Sequence, residues 1–352
     1  MNRKSNETMS TQETNTVSII VPCYNEAKYI KSFLDNLKSQ NSANNIGEII
    51  IADGMSDDGT RTILFEQSKE SKLIRVVDNK SRFVSHGLNL AIKEAKGEII
   101  IRMDMHTIYA KNYIEMCIKT LKYTGAQNVG GPARTTATSY IQRANGLAYS
   151  SKFSVGGARF HFDDYEGFVD TVTYGCWWKA TLLNIGLFDE KLIRNQDDEL
   201  NYRIIKSGGK IWQSPQIKSW YFPRDTLRGI FKQYMQYGYW KVEILKKHKM
   251  PSSWRQLMPA TFLLTLFAFG ITATMFNISY IIFWAIITSY LTANFIFSIL
   301  SCNAKNTHKY ILVMPFIFMM YHFGYGIGYI FGLLRVLVPN IILPRALTES
   351  SR

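Results

Sequence analysis

Acidic residues and a histidine directly follow short apolar segments that have the composition of buried strands. Asp53 comes after EIIIA, and Asp104 and His106 close the segment EIIIRMDMH. Carboxylate oxygens and an imidazole nitrogen suit Mn²⁺ or Mg²⁺, and such an ion neutralises the oxygens of a bound diphosphate. Residues two apart in an extended segment share a face, so we expect Asp104 and His106 to bind one cation together. An ordinary surface loop is the other interpretation of D-x-H.

A second group of acids lies at the start of a predicted helix, in RNQDDELNYRI. Asp197, Asp198 or Glu199 could act there as a general base that takes the proton of an attacking hydroxyl group. The same acids could instead offset the dipole at the N-terminus of the helix. The sequence contains neither G-x-G-x-x-G after the first strand nor G-x-x-x-x-G-K-[ST], so a glycine-rich loop that binds a dinucleotide or triphosphate is not expected.

The elements that must position these groups alternate between strands and helices. Strand patterns cover residues 17–21, 48–52, 73–77 and 98–103, and helix patterns cover about 26–40, 58–69 and 83–96. This alternation predicts an α/β, Rossmann-like domain with a mostly parallel sheet. Ligands of such sheets bind beyond the carboxyl ends of the strands. We therefore expect the acids and the histidine to meet in one crevice.

Charge and composition narrow the range of partners. The 352-residue chain carries a formal net charge of +14, with basic residues concentrated between Arg224 and Arg255, directly before nearly uncharged sequence. This placement favours a membrane surface over nucleic acid. The four cysteines are widely spaced, which indicates reduced thiols rather than disulfides or a zinc site. Residues 1–15 are polar, so we interpret them as a disordered lead-in rather than a signal peptide.

Three apolar segments, 257–275, 278–300 and 311–338, approach or exceed the roughly 20 helical residues that cross a bilayer. The predicted organisation is a catalytic domain at 16–225, a basic amphipathic interfacial region at 226–255, C-terminal transmembrane helices within 256–338 and a tail at 339–352. Lysines lie before the first segment and between the second and third. This pattern predicts a catalytic domain on the cytosolic side of the inner membrane.

Three alternatives remain open for this part of the chain. The apolar segments could form a buried helical bundle, and residues 226–255 could be an ordinary helix that packs on the domain. Pro315 and the glycines at 324, 326, 328 and 332 could make the third segment kinked or re-entrant. A re-entrant segment would change the side on which the tail lies.

Four segments together resemble, in order and spacing, the family 2 inverting glycosyltransferases with the nucleotide-diphosphosugar-transferase fold. They are SIIVPCYNEAKYI, EIIIADGMSDDGT, NKSRFVSHGLNLAIKEAKGEIIIRMDMHT and GLFDEKLIRNQDDELNYRI, and the resemblance covers about residues 17–249. The sequence is most similar to the succinoglycan-type exopolysaccharide glycosyltransferases, in which D-x-H takes the place of D-x-D.

The resemblance implies a donor site at the predicted carboxyl edge of the sheet. The matched positions are Pro22, Tyr24 and Glu26 for the nucleoside, Asp53 and Asp58 for the base-side loop, Arg82 for the diphosphate, Asp104 for the ribose and metal, and His106 for the metal. Asp53 would accept a hydrogen bond from the base, which favours uridine. Asp58 could equally cap the helix that follows it.

The resemblance also implies an acceptor side. The matched positions are Asp197 and Asp198 for catalysis, with Asp197 as the base, and Gly175, Trp177 and Trp178 for the acceptor. The family has Glu where this chain has Gln196, so a negative charge that would raise the pKa of the base is missing there. Paired tryptophans are also frequent in cores and at membrane interfaces.

Together these features predict a membrane-anchored, Mn²⁺- or Mg²⁺-dependent enzyme that transfers a hexose with inversion from a nucleotide sugar, expected to be a UDP-sugar. The expected acceptor is a polyprenyl-linked saccharide for exopolysaccharide or another cell-surface glycan, presented among membrane lipids at the cytosolic face. One alternative is a polyprenyl-phosphate sugar synthase, which charges the lipid itself. Another is a non-catalytic scaffold that binds nucleotide sugars.

Overall fold

The computed structural model describes residues 16–249, 253–338 and 340–348. The predicted lead-in 1–15 and the end of the predicted tail lie outside these residues. The strands are β1 (Val17–Cys23), β2 (Ile46–Asp53), β3 (Ile74–Asp78), β4 (Ile99–Arg102), β5 (Thr107–Tyr109), β6 (Asn128–Gly131), β7 (Arg134–Thr135), β8 (Gly167–Phe168), β9 (Thr173–Trp178), β10 (Ile211–Gln213) and β11 (Ser219–Tyr221). The helices are α1 (Ala27–Lys38), α2 (Thr60–Glu70), α3 (Val84–Glu94), α4 (Tyr113–Thr124), α5 (Tyr140–Tyr149), α6 (Lys152–Val155), α7 (Lys179–Ile185), α8 (Gln196–Lys206), α9 (Leu227–His248), α10 (Met258–Thr272), α11 (Asn277–Asn303) and α12 (Met314–Leu337).

The main sheet has the strand order β3-β2-β1-β4-β9-β6-β10-β8, and β5, β11 and β7 form a small second sheet. Strands β1 to β4 are parallel, as the sequence predicts, whereas β9 runs antiparallel between β4 and β6. Because the parallel strands end at one edge, the residues that follow Cys23, Asp53 and Arg102 are neighbours there.

Two apolar cores lie on opposite faces of the sheet. Alternation along β1 places Ile19 in the core with Phe33 of α1, and Ile20 in the core with Leu88 of α3 and Leu200 of α8. Since helices cover both faces, the central strands are mostly apolar on both of their faces. The three layers hold the carboxyl edge of the sheet in a fixed position.

Strand β4 ends earlier than the sequence predicts. The apolar pattern continues to Met103, whereas β4 ends at Arg102, and the Thr107 N–H donates to the Asp104 carbonyl oxygen (3.2 Å). The prediction that Asp104 and His106 share a face of extended backbone is therefore wrong, because the chain turns between β4 and β5.

Two of the C-terminal apolar helices in the described ranges are long and apolar enough to cross a membrane, α11 with 27 residues and α12 with 24. Helix α10 has 15 residues. At 1.5 Å per residue it is about 22 Å long, which is shorter than a hydrocarbon core of about 30 Å. The first predicted segment is therefore too short in this structure to be a full span by itself.

Helix α12 packs lengthwise on α9. A Cβ atom added at Gly328 would lie 1.9 Å from a carbonyl oxygen of α9, so only glycine permits this approach. Gly324 faces Phe231 and Gly332 faces Val242, so the two helices run in the same direction. Small residues allow close packing of this kind between apolar helices.

The apolar residues of the predicted interfacial region pack against other helices. They are Leu227, Phe231, Tyr234, Val242 and Leu245, and they belong to clusters that include α12 side chains. The structure thus places α9 against α12, and a position of α9 at a lipid surface stays a prediction.

Candidate active site

Hydrogen bonds connect the loops after β1 and β2 at the carboxyl edge of the sheet. The Asn25 N–H donates to Ser56 Oγ (2.9 Å), and the Asn25 side-chain amide donates to Asp57 Oδ1 (2.9 Å). Asn25 has a φ of 55°, in the left-handed region that asparagine tolerates better than most residues. The Glu26 N–H donates to Thr60 Oγ1 (2.8 Å). These bonds fix the two loops relative to each other before any ligand binds.

The two aspartates predicted for the base-side loop already have partners in the chain. Asp53 is fully buried, and its carboxylate accepts hydrogen bonds from Ser56 Oγ (2.5 Å) and Arg61 (2.6 Å). Asp58 is exposed and accepts from the Thr60 N–H (3.0 Å) and from the N–H of the first α1 residue (3.2 Å). Burial opposes the shift, but these hydrogen bonds lower the pKa of the Asp58 carboxyl. Asp58 is thus a cap for both helices, and nucleotide binding by either aspartate stays a prediction.

Tyr24 and Arg82 form a stacked pair beside the same loops. The Arg82 guanidinium carbon lies 5.6 Å from the centroid of the Tyr24 ring, which also covers Gly54. Pro22 pairs in register with Ala52 and directs the chain toward this ring. Arg82 is exposed at a φ of 64°, and no carboxylate pairs with it in the ranges that the structure describes. An unpaired guanidinium held on a strained backbone suits a diphosphate ligand.

Arg102 is a buried cation that connects the two acidic groups. It is 7% exposed, and its Nε and Nη2 donate to Asp104 Oδ1 (3.1 Å) and Oδ2 (3.2 Å). Burial opposes its positive charge, but the charges of Asp104 and Asp197 raise the pKa of Arg102 above its ordinary value. The structure therefore brings Asp104 and Asp197 together around one cation.

A buried carboxylate lies beside His106. Its Nδ1 lies 3.2 Å from Oε1 of Glu26, which is 4% exposed. The position of Glu26 at the nucleoside stays a prediction. A carboxylate on one ring nitrogen is the usual support of a histidine that ligates a metal through the other. Asp104 adds a carboxylate, and this donor chemistry fits Mn²⁺ or Mg²⁺.

A metal in this position would need ligands beyond the protein. Among the described residues there is no group of three or more acidic, histidine or cysteine side chains that could hold a metal ion. Mg²⁺ commonly keeps several waters and takes substrate phosphates as ligands, so one or two protein donors are enough for such an ion.

The acids at the start of α8 form the opposite wall of the site. Asp197 Oδ1 accepts the Asp198 N–H (2.9 Å), and Asp198 Oδ2 accepts from Lys241 Nζ (2.8 Å). Burial, followed by the charge of Asp198, raises the pKa of the Asp197 carboxyl, although Arg102 and Lys241 oppose this shift. A raised pKa gives a carboxylate more affinity for a proton, as a general base needs. Asp198 thus supplies the negative charge that Gln196 does not.

The residues predicted to bind the acceptor mainly pack within the sheet and its cores. Gly175 has a φ of 113°, and a Cβ atom there would lie 2.3 Å from the Trp177 ring. Trp177 is 1% exposed and packs edge-on against Phe188 in a core, so the prediction that it stacks on a sugar is wrong in this structure. Trp178 is half-buried and packs against the other core.

A cavity of about 710 Å³ extends from the acids of α8 to the apolar helices. Arg102 and Asp197 line one part, and Met258, Phe262 and Tyr290 of α10 and α11 line another. Other side chains of the wall are Tyr149, Asp170, Arg194, Tyr234, Tyr237, Lys241, Arg255, Tyr321 and His322. From the sequence, Lys241 and Arg255 belong only to a basic cluster, and neither is predicted to line a site. The one sequence feature that could have indicated this for Arg255 is its position directly before an apolar segment.

The carboxyl edge of the mostly parallel sheet carries acids, a histidine and an exposed arginine, and the acids of α8 lie across the same crevice. This fold and these groups suit a nucleotide-sugar transferase. Residues 18–174 match the family model Glycosyl transferase family 2. The succinoglycan biosynthesis protein ExoA of Rhizobium meliloti is 31% identical over 255 residues, which are 71% of this chain and 77% of that protein. The chain belongs to glycosyl transferase family 2, which confirms the resemblance found in its motifs and the enzyme class that it implies.

One further relative and one solved structure align with nearly the whole chain. A Methanococcus voltae protein named dolichyl N-acetyl-alpha-D-glucosaminyl phosphate 3-beta-D-2,3-diacetamido-2,3-dideoxy-beta-D-glucuronosyltransferase is 28% identical over 329 residues, 91% of this chain and 98% of that protein. The structure of the mannosyltransferase PcManGT from Pyrobaculum calidifontis, in complex with GDP-Man and Mn²⁺, aligns with a TM-score of 0.58 at 18% identity, covering 93% of this chain and 88% of that one. The structural likeness confirms the predicted fold.

Proposed function

We propose that the protein transfers a hexose, with inversion, from a UDP-sugar to a polyprenyl-linked saccharide at the cytosolic face of the inner membrane. The product would be an exopolysaccharide or another cell-surface glycan. The cavity that runs from Asp197 to α10 and α11 carries this proposal. It lets a lipid-linked acceptor present its saccharide to the base while its lipid stays beside apolar helices. The names of two relatives, one in succinoglycan biosynthesis and one that includes a dolichyl-linked sugar phosphate, support the same acceptor class.

The donor is proposed to bind at the edge formed by the β1 and β2 loops. Asp53 accepts a hydrogen bond from the base, and Arg82 binds the diphosphate. Asp104 and His106 would hold Mn²⁺ or Mg²⁺, and Glu26 keeps the imidazole in the orientation that this needs. When bound, the ion supplies positive charge that stabilises the diphosphate as it leaves.

Asp197 is proposed to remove the proton of the acceptor hydroxyl as its oxygen attacks the anomeric carbon. Attack comes from the face opposite the diphosphate, so the configuration inverts. Burial and the charge of Asp198 keep the proton affinity of Asp197 high. Arg102 attracts the carboxylates of Asp104 and Asp197 and so keeps them near each other. The proton then passes from Asp197 to water before the next cycle.

A donor and acceptor screen tests this function. The purified full chain in nanodiscs is given UDP-hexoses or GDP-mannose, with either a polyprenyl-diphosphate-linked sugar or polyprenyl phosphate as acceptor, with and without Mn²⁺. The expected product comes from a UDP-sugar and the lipid-linked sugar, and only with the metal. Product from polyprenyl phosphate alone would identify a synthase of the charged lipid. Nucleotide binding without hydrolysis or transfer would identify a scaffold.

A further inference from the structure

One cation in the cavity wall lies where the catalytic domain meets the apolar helices. Arg255 belongs to the 3-10 turn Trp254–Gln256, just before α10 begins at Met258. Its neighbour Trp254 is 77% exposed, as expected for an aromatic residue anchored among lipid head groups. Arg255 therefore lies directly before the first apolar helix and lines the cavity that contains Asp197.

The partner of Arg255 is a carboxylate that can be displaced. Its guanidinium pairs with Asp170, which also lines the cavity, and the side chains are 34% and 38% exposed. An ion pair this accessible contributes little to stability, because water screens both charges. His161 lies in the same wall, where burial and the charge of Arg255 lower its pKa to about 3. His161 is thus uncharged near neutral pH and does not compete for an anion.

We propose that Arg255 binds the phosphate of the lipid-linked acceptor, and that Asp170 holds the guanidinium until that phosphate replaces it. This inference rests on the proposed function, whose acceptor class it specifies. A guanidinium can donate two parallel hydrogen bonds to phosphate oxygens, and a phosphate offers more negative charge than one carboxylate.

The rest of the cavity fits the two ends of such a ligand. From Arg255 the saccharide would extend toward Asp197 along the tyrosines of the wall, whose ring faces suit sugar rings. The lipid chain would leave past Met258, Pro259 and Phe262 of α10. One phosphate anchor at the membrane surface thus sets how far the attacked hydroxyl group reaches into the site.

Binding of short prenyl probes tests the assignment without knowledge of the sugar. Farnesyl phosphate and farnesol, which differ only in the phosphate, are titrated by calorimetry into the full chain in a neutral detergent. The wild type is expected to bind farnesyl phosphate at least about tenfold more tightly than farnesol, the scale of a charge-assisted contact. Arg255→Gln should remove this preference, and Asp170→Asn should increase it because the competing carboxylate is gone. Lys246→Gln, at an exposed lysine outside the cavity wall, is the matched control and should behave as the wild type.

Opposite effects of Arg255→Gln and Asp170→Asn separate ligand binding from a structural ion pair. If both variants lose farnesyl phosphate binding together with thermal stability, the pair is structural and the proposal is overturned. Displacement of farnesyl phosphate by vesicles of phosphatidylglycerol, but not phosphatidylcholine, would overturn it too, since the site would then take any anionic lipid. Farnesyl phosphate binding that depends on Arg255, in a protein that transfers no sugar in the donor screen, would refute the proposed function and leave this site standing.

Discussion

At the scale of single residues, the site depends on charges that are kept close together and partly out of water. Arg102 lies between Asp104 on the donor side and Asp197 on the acceptor side, and the pKa of Arg102 is raised by both. Asp197 keeps a raised pKa in spite of this cation because burial and Asp198 act against it. Asp104, which we propose binds the metal, and Asp197, which we propose accepts the proton, thus both interact with one guanidinium.

Replacement of the base separates chemistry from binding. Asp197→Asn should lower kcat by about 10²-fold or more, the scale of a lost general base, while UDP affinity measured by calorimetry stays unchanged. Asp198→Asn is the control at the neighbouring carboxylate, and its kcat should fall much less than that of Asp197→Asn. Near-normal turnover of Asp197→Asn would move the role of base to Asp198.

The raised pKa of Asp197 predicts a pH profile. The base acts only when it is deprotonated, so kcat/KM should fall with decreasing pH, with a midpoint above the ordinary range of an aspartate. Asp198→Asn removes a charge that raises this pKa and leaves Lys241 unpaired, and both changes should move the midpoint to lower pH. A midpoint that moves to higher pH would contradict the coupling of the two acids.

The histidine of D-x-H can be tested through the metal itself. His106→Ala should weaken Mn²⁺ binding in the presence of UDP, as measured by the electron paramagnetic resonance signal of free Mn²⁺. Glu26→Gln should weaken it less, since the imidazole stays but loses its charged support. An Mn²⁺ affinity unchanged by His106→Ala would exclude the imidazole as a ligand.

At the scale of elements, the positions of loops and helices relative to one another depend on contacts between residues distant in sequence. Local sequence patterns do not show these contacts. Asp58 caps the first turns of both α1 and α2, so that one carboxylate fixes the spacing of two helices. Helix α9 carries Lys241 toward Asp198 on one side and contacts the glycines of α12 on the other. The position of the α8 acids therefore depends on how closely α12 approaches α9.

A methyl group at the α9–α12 contact should separate these helices. Gly328→Ala would place its Cβ against a backbone carbonyl of α9, and we expect a loss of about 1–3 kcal/mol in the free energy of unfolding, seen as a lower thermal midpoint in detergent. Gly270→Ala is the matched control in another apolar helix, where the nearest atom belongs to the movable ring of Phe283. It should change stability by less than about 1 kcal/mol. Equal losses in the two variants would mean that close approach is not what Gly328 provides.

At the scale of the whole molecule, the residues on either side of α12 contact α5 and α9. The Tyr140 hydroxyl of α5 donates to the Lys309 carbonyl oxygen before α12 (2.6 Å), and the Trp240 indole N–H of α9 donates to the Leu347 carbonyl oxygen after it (3.0 Å). A helix that crossed a bilayer once would separate its two ends. These contacts favour the re-entrant alternative for the third apolar segment, with α10 and α11 as a hairpin.

Labelling of introduced cysteines tests this topology. The four native cysteines are buried, so a membrane-impermeant maleimide should report only on introduced sites. In inverted inner-membrane vesicles we expect Thr348→Cys and Lys305→Cys to be labelled, and Met275→Cys, at the tip of the α10–α11 hairpin, to be protected. Protection of Thr348→Cys with labelling of Lys305→Cys would show that α12 crosses the membrane.

The sequence alone was sufficient to predict the parallel strands and the edge of the sheet at which they end. Strands β1 to β4 and helices α1 to α3 lie close to their predicted ranges, because apolar periodicity and turn residues act between near neighbours in the chain. The family was identified for a similar reason, since its motifs are short segments whose order and spacing can be compared directly. The same patterns predicted Asp104, Asp197 and His106 as residues of one site.

Only the tertiary structure decided which groups pair, because partners distant in sequence depend on how strands and helices are ordered in space. It placed Arg102 between Asp104 and Asp197, Glu26 beside His106, and Trp177 inside a core although its pattern also suits a sugar platform. The turn after β4 separated two residues that extended geometry would have kept on one face. The packing of α12 on α9, and the cavity that it helps to enclose, likewise follow from contacts across the fold that no local pattern contains.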